Sequence, residues 1–267
     1  MTVAFICVNY NNVNYTKQFI ESIRKISTDI KIVIVDNDSN ENDIVELKKI
    51  HDENVEVIFS DKNVGYFRGL NLGINAIDAK NYDFVVIGNN DLYFESNFVE
   101  ELKKMQVNND ILCIAPNIIR LDGIHQNPHI INKFGFKENL YRKLYYSNYY
   151  VSIVLQKFYN SLKFMINPTN RVGNEKEMII TMGYGACYIL NKNFFNHFKE
   201  LDAPNFLMEE EGVLANQVLS VGGKTLYFPN LIVNHHDHTS IGKIPSKKLY
   251  NFAKESYKHY KHLTYLH

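Results

Sequence analysis

Residues 3–39 read VAFICVNYNNVNYTKQFIESIRKISTDIKIVIVDNDS, and this stretch decides the fold. Two short β-rich runs, Val3–Val8 and Lys31–Asp36, flank an amphipathic segment over 15–27 in which Phe19, Ile20, Ile23 and Ile26 recur at helical spacing. Strand, helix and strand of these lengths form a right-handed βαβ unit with parallel strands. The alternation continues, with strand-like runs at Val55–Ser60, Phe84–Gly88 and Ile111–Pro116 and helical patterns over 41–51, 66–78 and 95–106. An α/β chain with a Rossmann-like, mostly parallel central sheet flanked by helices is therefore predicted. Ligands bind such sheets beyond the carboxyl ends of the strands. Those ends read Asn9-Tyr10-Asn11-Asn12, Asp36-Asn37-Asp38-Ser39, Ser60-Asp61-Lys62-Asn63 and Gly88-Asn89-Asn90-Asp91. Any one of them suits a turn or a helix cap. Four in succession on one edge point to a site.

The composition narrows the classes. The 267 residues carry 29 Lys+Arg against 29 Asp+Glu, a neutral balance that argues against a broad nucleic-acid groove. The three cysteines, Cys7, Cys113 and Cys187, each sit in an apolar run, so neither a disulfide framework nor a paired-cysteine zinc site is expected, and the compartment reads as reducing. No stretch reaches the ~18 apolar residues that span a bilayer. Met1–Val8 lacks a basic leader region and reads as a strand rather than a signal peptide. A cytoplasmic protein, bound to membrane at most by its surface, is the expectation.

The charge is unevenly placed. Between Glu138 and Glu175 there is no acid, while Arg142, Lys143, Lys157, Lys163 and Arg171 stand among Tyr141, Tyr145, Tyr146, Tyr149, Tyr150, Phe158, Tyr159 and Phe164. After Gly242 six lysines (243, 247, 248, 254, 258 and 261) face one acid, Glu255, again among tyrosines. Together these segments hold a net +10. They read either as solvated helix faces packed through their aromatics or as a docking surface for anionic lipid, where each near-surface Lys or Arg adds ~1 kcal/mol. The expected organisation is a ligand-binding αβ half over 1–121, a helical aromatic and basic insertion over 122–177, the remainder of the same domain over 178–242, and a basic C-terminal helix over 243–267.

Four clusters could carry chemistry. Asp61–Gly73 follows a strand and opens a helix; its glycines would let a ligand approach the backbone, and the helix N-terminus favours an anion such as phosphate. Its spacing is neither a dinucleotide fingerprint nor a P-loop. Asp91 ends an apolar strand, where one carboxylate beside a diphosphate suffices for a magnesium-type ion. Glu209-Glu210-Glu211 opens an amphipathic helix running to Gly222-Gly223; acids there suit the helix dipole, and one facing inward could serve as a general base. His235-His236-Asp237-His238 follows a strand-like run; His236 and His238 share a face with His235 opposite, a poor zinc set but able to lend one histidine to a metal assembled elsewhere.

In order and spacing these pieces resemble the family 2 glycosyltransferases of the GT-A fold, in particular the rhamnosyltransferase-like bacterial branch. Val8-Asn9-Tyr10-Asn11 and Val35-Asp36-Asn37-Asp38-Ser39 resemble the family's opening motifs, and Asn63-Val64-Gly65-Tyr66 with Arg68 and Asn71 its N-x-G-[FY] segment. Asn89-Asn90-Asp91 takes the place of the D-x-D element, Gly183–Leu190 of the acceptor-side strand, Glu210-Glu211-Gly212-Val213-Leu214 of E-D-x-D-L, and His235 of the late metal-contacting histidine. The resemblance implies that Asp36 and the Asn9–Asn11 loop hold the nucleoside of a nucleotide diphosphate sugar. It puts Asn63, Gly65, Arg68 and Asn71 near base or phosphate, and Asn89 and Asn90 beside the diphosphate. Asp91 and His235 would bind Mn2+ or Mg2+, and Glu211, or its neighbour Glu210, would be the catalytic base of an inverting transfer to a glycan or lipid-linked acceptor.

The chain departs from the pattern at Asn89, which leaves one strong carboxylate for the metal, and at Val213 and Gln217. Register to Leu214 and Gly222 favours Glu211 among the three glutamates. With no Trp, the Q-x-x-R-W motif of processive synthases is absent, which favours a single-transfer enzyme. The competing readings are a nucleotidyltransferase, which usually has a Gly-rich loop where this chain is Asn-rich, and a catalytically inactive sugar-nucleotide or glycan-binding module.

Overall fold

The computed structural model describes residues 1–50, 52–165, 175–236 and 247–261, with 159–165 as backbone only. In chain order the elements are β1 (Val3–Asn9), α1 (Val13–Arg24), β2 (Lys31–Asp36), α2 (Glu41–Leu47), β3 (Val55–Phe59), α3 (Tyr66–Ala76), β4 (Phe84–Asn89), β5 (Leu92–Phe94) and α4 (Phe98–Lys104). There follow β6 (Ile111–Arg120), α5 (Phe136–Tyr145), α6 (Tyr149–Met165), β7 (Met178–Ile180), β8 (Cys187–Asn191), α7 (Lys192–His197), α8 (Glu210–Ser220), β9 (Lys224–His235) and α9 (Lys247–Tyr260).

One sheet runs β3-β2-β1-β4-β8-β6-β9-β5, with β7 added against β9. Its first four strands are parallel, as the βαβ pattern demands. At β8 the sense reverses: β8 is antiparallel to both β4 and β6, while β6 and β9 run parallel to each other. β9 is long because it serves two partners in turn, β7 through Thr225–Tyr227 and β5 through Val233–His235. A register break opposite Pro116/Asn117 bends it between the two. That bend carries His235 across to the short β5, directly after Asp91.

The two-residue period of the strands sorts the core onto two faces. Phe5, Cys7, Ile32 and Ile34 pack with Phe19, Ile23, Phe98 and Leu102 of α1 and α4. Ile6, Val8, Val33 and Val35 pack with Phe67, Leu70 and Ile74 of α3 and with Leu214 and Val218 of α8. All three cysteines are buried thiols, and burial pushes their pKa values up.

The insertion and the tail come together. Tyr146 of α5's C-terminal turn stacks on Tyr257 of α9 with centroids 4.5 Å apart, Tyr149 meets Tyr250 edge-on at 5.4 Å, and the Tyr250 hydroxyl donates to the Tyr145 carbonyl at 3.1 Å. Part of the aromatic content of both basic segments is thus internal packing. Asp237, His238 and Lys243, the whole of Arg171, and the side chains of Tyr159, Lys163 and Phe164 lie outside the described residues, so the shared face expected of His236 and His238 goes undescribed. Among the described residues no helix is long and apolar enough to cross a membrane.

Candidate active site

The loops after β1, β2 and β4 are tied by a buried polar network. The Asn9 amide donates to Asp36 Oδ1 at 2.9 Å and to Ser39 Oγ at 3.0 Å, while its carbonyl oxygen accepts from Thr16 and from Asn90 Nδ2. Asp36 Oδ2 accepts from the Ser39 N–H. Asn9 and Asp36 have no exposed surface. Buried polar groups must find partners inside, and these two are each other's, Asn9 Nδ2 donating to Asp36 Oδ1. Their role is to fix the loop edge. Asn90 turns the same way, its Nδ2 donating to Asn9, Thr16 and the Asn12 carbonyl, so its amide braces the edge from beneath. Asn11 and Asp38 remain exposed on that edge, both with left-handed backbone, as does half-buried Asn89. Asn37, Ser39 and Thr16 complete the network.

The glycine-rich segment also does something other than expected. Gly65 (φ 93°) precedes α3, and a Cβ there would collide with the Phe206 carbonyl, which accepts the Tyr66 N–H at 3.2 Å. The first N–H of α3 is therefore engaged by backbone. Gly69 and Gly73 seat α3 on β1, where a Cβ would press on Val8 and Ile6. Asn71 spends both ends of its amide on the Leu201 backbone at 2.8 and 2.9 Å, and Arg68 donates to the carbonyls of Ala203 and Pro204. Asn71 and Arg68 thus clamp the 201–206 segment that leads into the three glutamates; Gln217 adds a further clamp through Glu200 and Asp202. Asn63 keeps its place on the edge, its side chain fixing the turn through Asn37 and the Gly65 N–H. The variant Gly65→Ala is expected to lose about 2–3 kcal/mol in urea unfolding, since it combines a left-handed φ with a backbone collision; wild-type stability would mean that the Phe206 loop is free to move.

Asp91 and His235 do meet. His235 Nε2 lies 3.3 Å from Asp91 Oδ1, and both side chains are largely buried. On its other side, Nδ1 is 2.7 Å from Gln126 Oε1. An amide oxygen only accepts, so Nδ1 carries hydrogen and Nε2 is turned toward the carboxylate, the ring orientation a metal-ligating histidine needs. One carboxylate oxygen and one imidazole nitrogen converging at this distance fit Mn2+ or Mg2+, whose remaining positions go to phosphate oxygens and water. Among the described residues no larger His/Cys/Asp/Glu cluster forms. Gln126 was missed: a lone glutamine in a loop gives no local signal.

The three glutamates separate by their surroundings. Glu209 sits in left-handed backbone, accepts from the Tyr260 hydroxyl and lies 3.5 Å from the Arg142 guanidinium, which also stacks on Phe134. A carboxylate so engaged is held by its partners. Glu210 and Glu211 open α8, where burial first, and then the Glu209 charge, raises the Glu210 carboxyl to about 7 and the Glu211 carboxyl to about 8. Glu210 Oε1 is buried with no hydrogen-bond partner. Glu211 Oε2 lies over Gly185, 3.3 Å from where a Cβ would stand, so a side chain there would press on the carboxylate. The Gly185 carbonyl in turn accepts from Tyr66, a residue whose electrostatic neighbours include both Glu210 and Asp91.

The profile of Glycosyl transferase family 2 matches residues 4–166. The chain belongs to this family. A relative from Rickettsia bellii (strain RML369-C), described as an uncharacterized glycosyltransferase, is 32% identical over 143 residues, covering 53% of this chain and 20% of the relative. The chain thus spans about a fifth of that protein's length. Among solved structures, GalNAc-T7 with UDP, GalNAc and Mn2+ superposes at a TM-score of 0.58, with 15% identity over 88% of this chain and 44% of that one. The mannosyltransferase PcManGT from Pyrobaculum calidifontis, in complex with GDP-Man and Mn2+, gives 0.53 at 12% identity, covering 88% and 56%. S. aureus TarS 1–349 gives 0.54 at 12% identity, covering 88% and 60%. At these identities the structures establish the GT-A fold for this glycosyltransferase family member.

Proposed function

We propose that the protein is a metal-dependent, inverting glycosyltransferase that moves one sugar from a UDP- or dTDP-linked donor to a hydroxyl of a glycan or lipid-linked glycan. It would act in capsular, O-antigen or related surface polysaccharide synthesis at the cytoplasmic face of the membrane. The observation that carries this reading is the contact of Asp91 with His235 beside the polar strand ends, with the Glu211 carboxylate lying over Gly185 in the loop that leads into β8. The complexes of related folds with UDP or GDP-Man and Mn2+ support the class of donor.

In this reading the loop edge at Asn11, Asp38, Asn63 and Asn89 receives the nucleoside diphosphate. Asp91 and His235 would hold the divalent ion, which when bound neutralises charge on the departing diphosphate. Glu211 accepts the proton of the acceptor hydroxyl, the new oxygen–carbon bond forms at the anomeric centre, and the bond to the diphosphate breaks with its electron pair going to phosphate. With Glu211 as base and no carboxylate assigned as nucleophile among the described residues, a single displacement would invert the configuration.

The first experiment is calorimetric titration of the folded protein with UDP, dTDP, GDP and CMP, each with Mn2+ and with EDTA. One nucleoside diphosphate is expected to bind in the micromolar range with Mn2+ and at least tenfold more weakly with EDTA. If none of the panel binds, the transferase reading falls and a glycan-binding module takes its place.

A further inference from the structure

The outer faces of α5 and α6 are inverted relative to an ordinary surface helix. Phe136 is 81% exposed, Tyr150 69%, Val154 66% and Phe158 65%, with Leu140 and Leu144 also exposed. The spacing is four residues in both helices, 136/140/144 and 150/154/158, so each helix turns a continuous apolar stripe outward. Of the eighteen exposed large hydrophobic residues in the described chain, eight lie between Phe136 and Phe158. Such a concentration is a contact surface rather than scattered exposure. The inward faces already have their partners in the tyrosines of α9.

The charge on this surface chooses the partner. Lys137, Lys143 and Lys157 are exposed beside the stripes. The one acid on either helix, Glu138, is engaged as an N-terminal cap by the Gly135 N–H at 2.6 Å. A second copy of the chain docked symmetrically here would set these lysines against their own equivalents. An anionic lipid surface satisfies both features, taking up the apolar stripes below its headgroups and the lysines among them.

We infer that the paired outer faces of α5 and α6 insert into an anionic bilayer. The inference rests on the proposed transferase reading for its purpose, because it places the acceptor side of the enzyme against lipid. Tyr141 and Lys137 of α5 also line a cavity of about 640 Å3 together with Met208 and Glu209, which lead into the candidate base. A headgroup-borne acceptor would reach the glutamate turn through that cavity.

The test is flotation with phosphatidylcholine vesicles containing about one-third phosphatidylglycerol, and with phosphatidylcholine alone. Wild type is expected to float with the anionic vesicles at least tenfold more strongly than with the neutral ones, and to lose this preference in K143E/K157E. The F136S/F158S variant is expected to lose about a hundredfold in partition, roughly tenfold per aromatic withdrawn from lipid. Circular dichroism and nucleotide calorimetry on each variant separate loss of docking from loss of fold. Failure of wild type to float, equal flotation of F136S/F158S, or a solution dimer abolished by F136S/F158S would each overturn the inference. Vesicle binding without nucleotide binding would instead overturn the transferase reading and leave the surface standing.

Discussion

Glu211→Gln is expected to lower transfer by about a thousandfold while nucleotide affinity stays within twofold of wild type. The size follows from removing a general base, which ordinarily contributes two to four orders of magnitude. The shape of Gln matches that of Glu, so the turn over Gly185 keeps its packing. Two further readouts make the result specific. Burial and the neighbouring charges of Glu209 and Glu210 raise the Glu211 carboxyl to about 8, and burial raises Glu210 to about 7. A base must be ionised, so wild-type kcat/KM should climb as pH rises through that interval and level off above it, the two carboxyls titrating as a pair. Folding runs the other way: the folded chain holds these protons above the ordinary value of 4.5, so stability falls as pH rises from there through about 8. The Gln variant cannot ionise at this position. It should therefore equal wild type in stability at low pH and exceed it at alkaline pH, by on the order of 2 kcal/mol. Unchanged turnover in Glu211→Gln, with loss in Glu210→Gln, would move the base one residue back.

How far the sequence carries the argument depends on whether a feature is local. The strand Lys31–Asp36 has the bounds its pattern predicts, and Val3, Val55 and Phe84 each begin their strands. Apolar runs between turn residues are written in consecutive positions, and the βαβ rule then fixes their direction. The reversal at β8 has no such signature, because its sense depends on which strand it meets rather than on its own residues. The predicted strand from Gly183 begins only at Cys187; the intervening loop is held by the Tyr188 hydroxyl on the Gly183 carbonyl at 2.7 Å. β5 is three residues long, too short for a periodic pattern.

The site divides in the same way. The polar strand ends were legible, but which of those side chains face a ligand was not. Asn9, Asp36 and Asn90 read as ligand groups in sequence and prove to be one another's partners. Asn71 and Arg68 read likewise and prove to clamp the segment leading to the base. Nothing in the spacing could separate these outcomes, since a buried amide and a ligand-binding amide are the same residue type after the same kind of strand. The choice among the three glutamates required Arg142 and Tyr260, which come from the insertion and the tail.

Asp91→Asn is expected to weaken Mn2+ binding, measured with the nucleoside diphosphate present, by two to three orders of magnitude, roughly 3–4 kcal/mol. Asn89 stands where a second acid would, and no other carboxylate among the described residues joins Asp91 and His235 in a cluster. An Asn at 91 keeps the volume and one neutral oxygen but removes the charge, so the ion would be held by an imidazole and the phosphates alone. Gln126 supplies the graded control. It touches neither the ion's expected position nor the donor, and acts by holding the His235 ring through Nδ1 at 2.7 Å. Gln126→Leu should cost ten- to a hundredfold in Mn2+ affinity, the usual toll for losing such a support, with metal-free nucleotide binding unaffected. Gln126→Glu keeps an acceptor at that atom and should restore most of the loss. A structural role alone would lower thermal stability in both variants and leave the Mn2+ isotherms unchanged. Wild-type Mn2+ binding in Asp91→Asn would mean that the ion, if the transfer uses one, sits away from the β4–β5 edge, and the loops at Asn11 and Asp38 would have to hold the diphosphate without it.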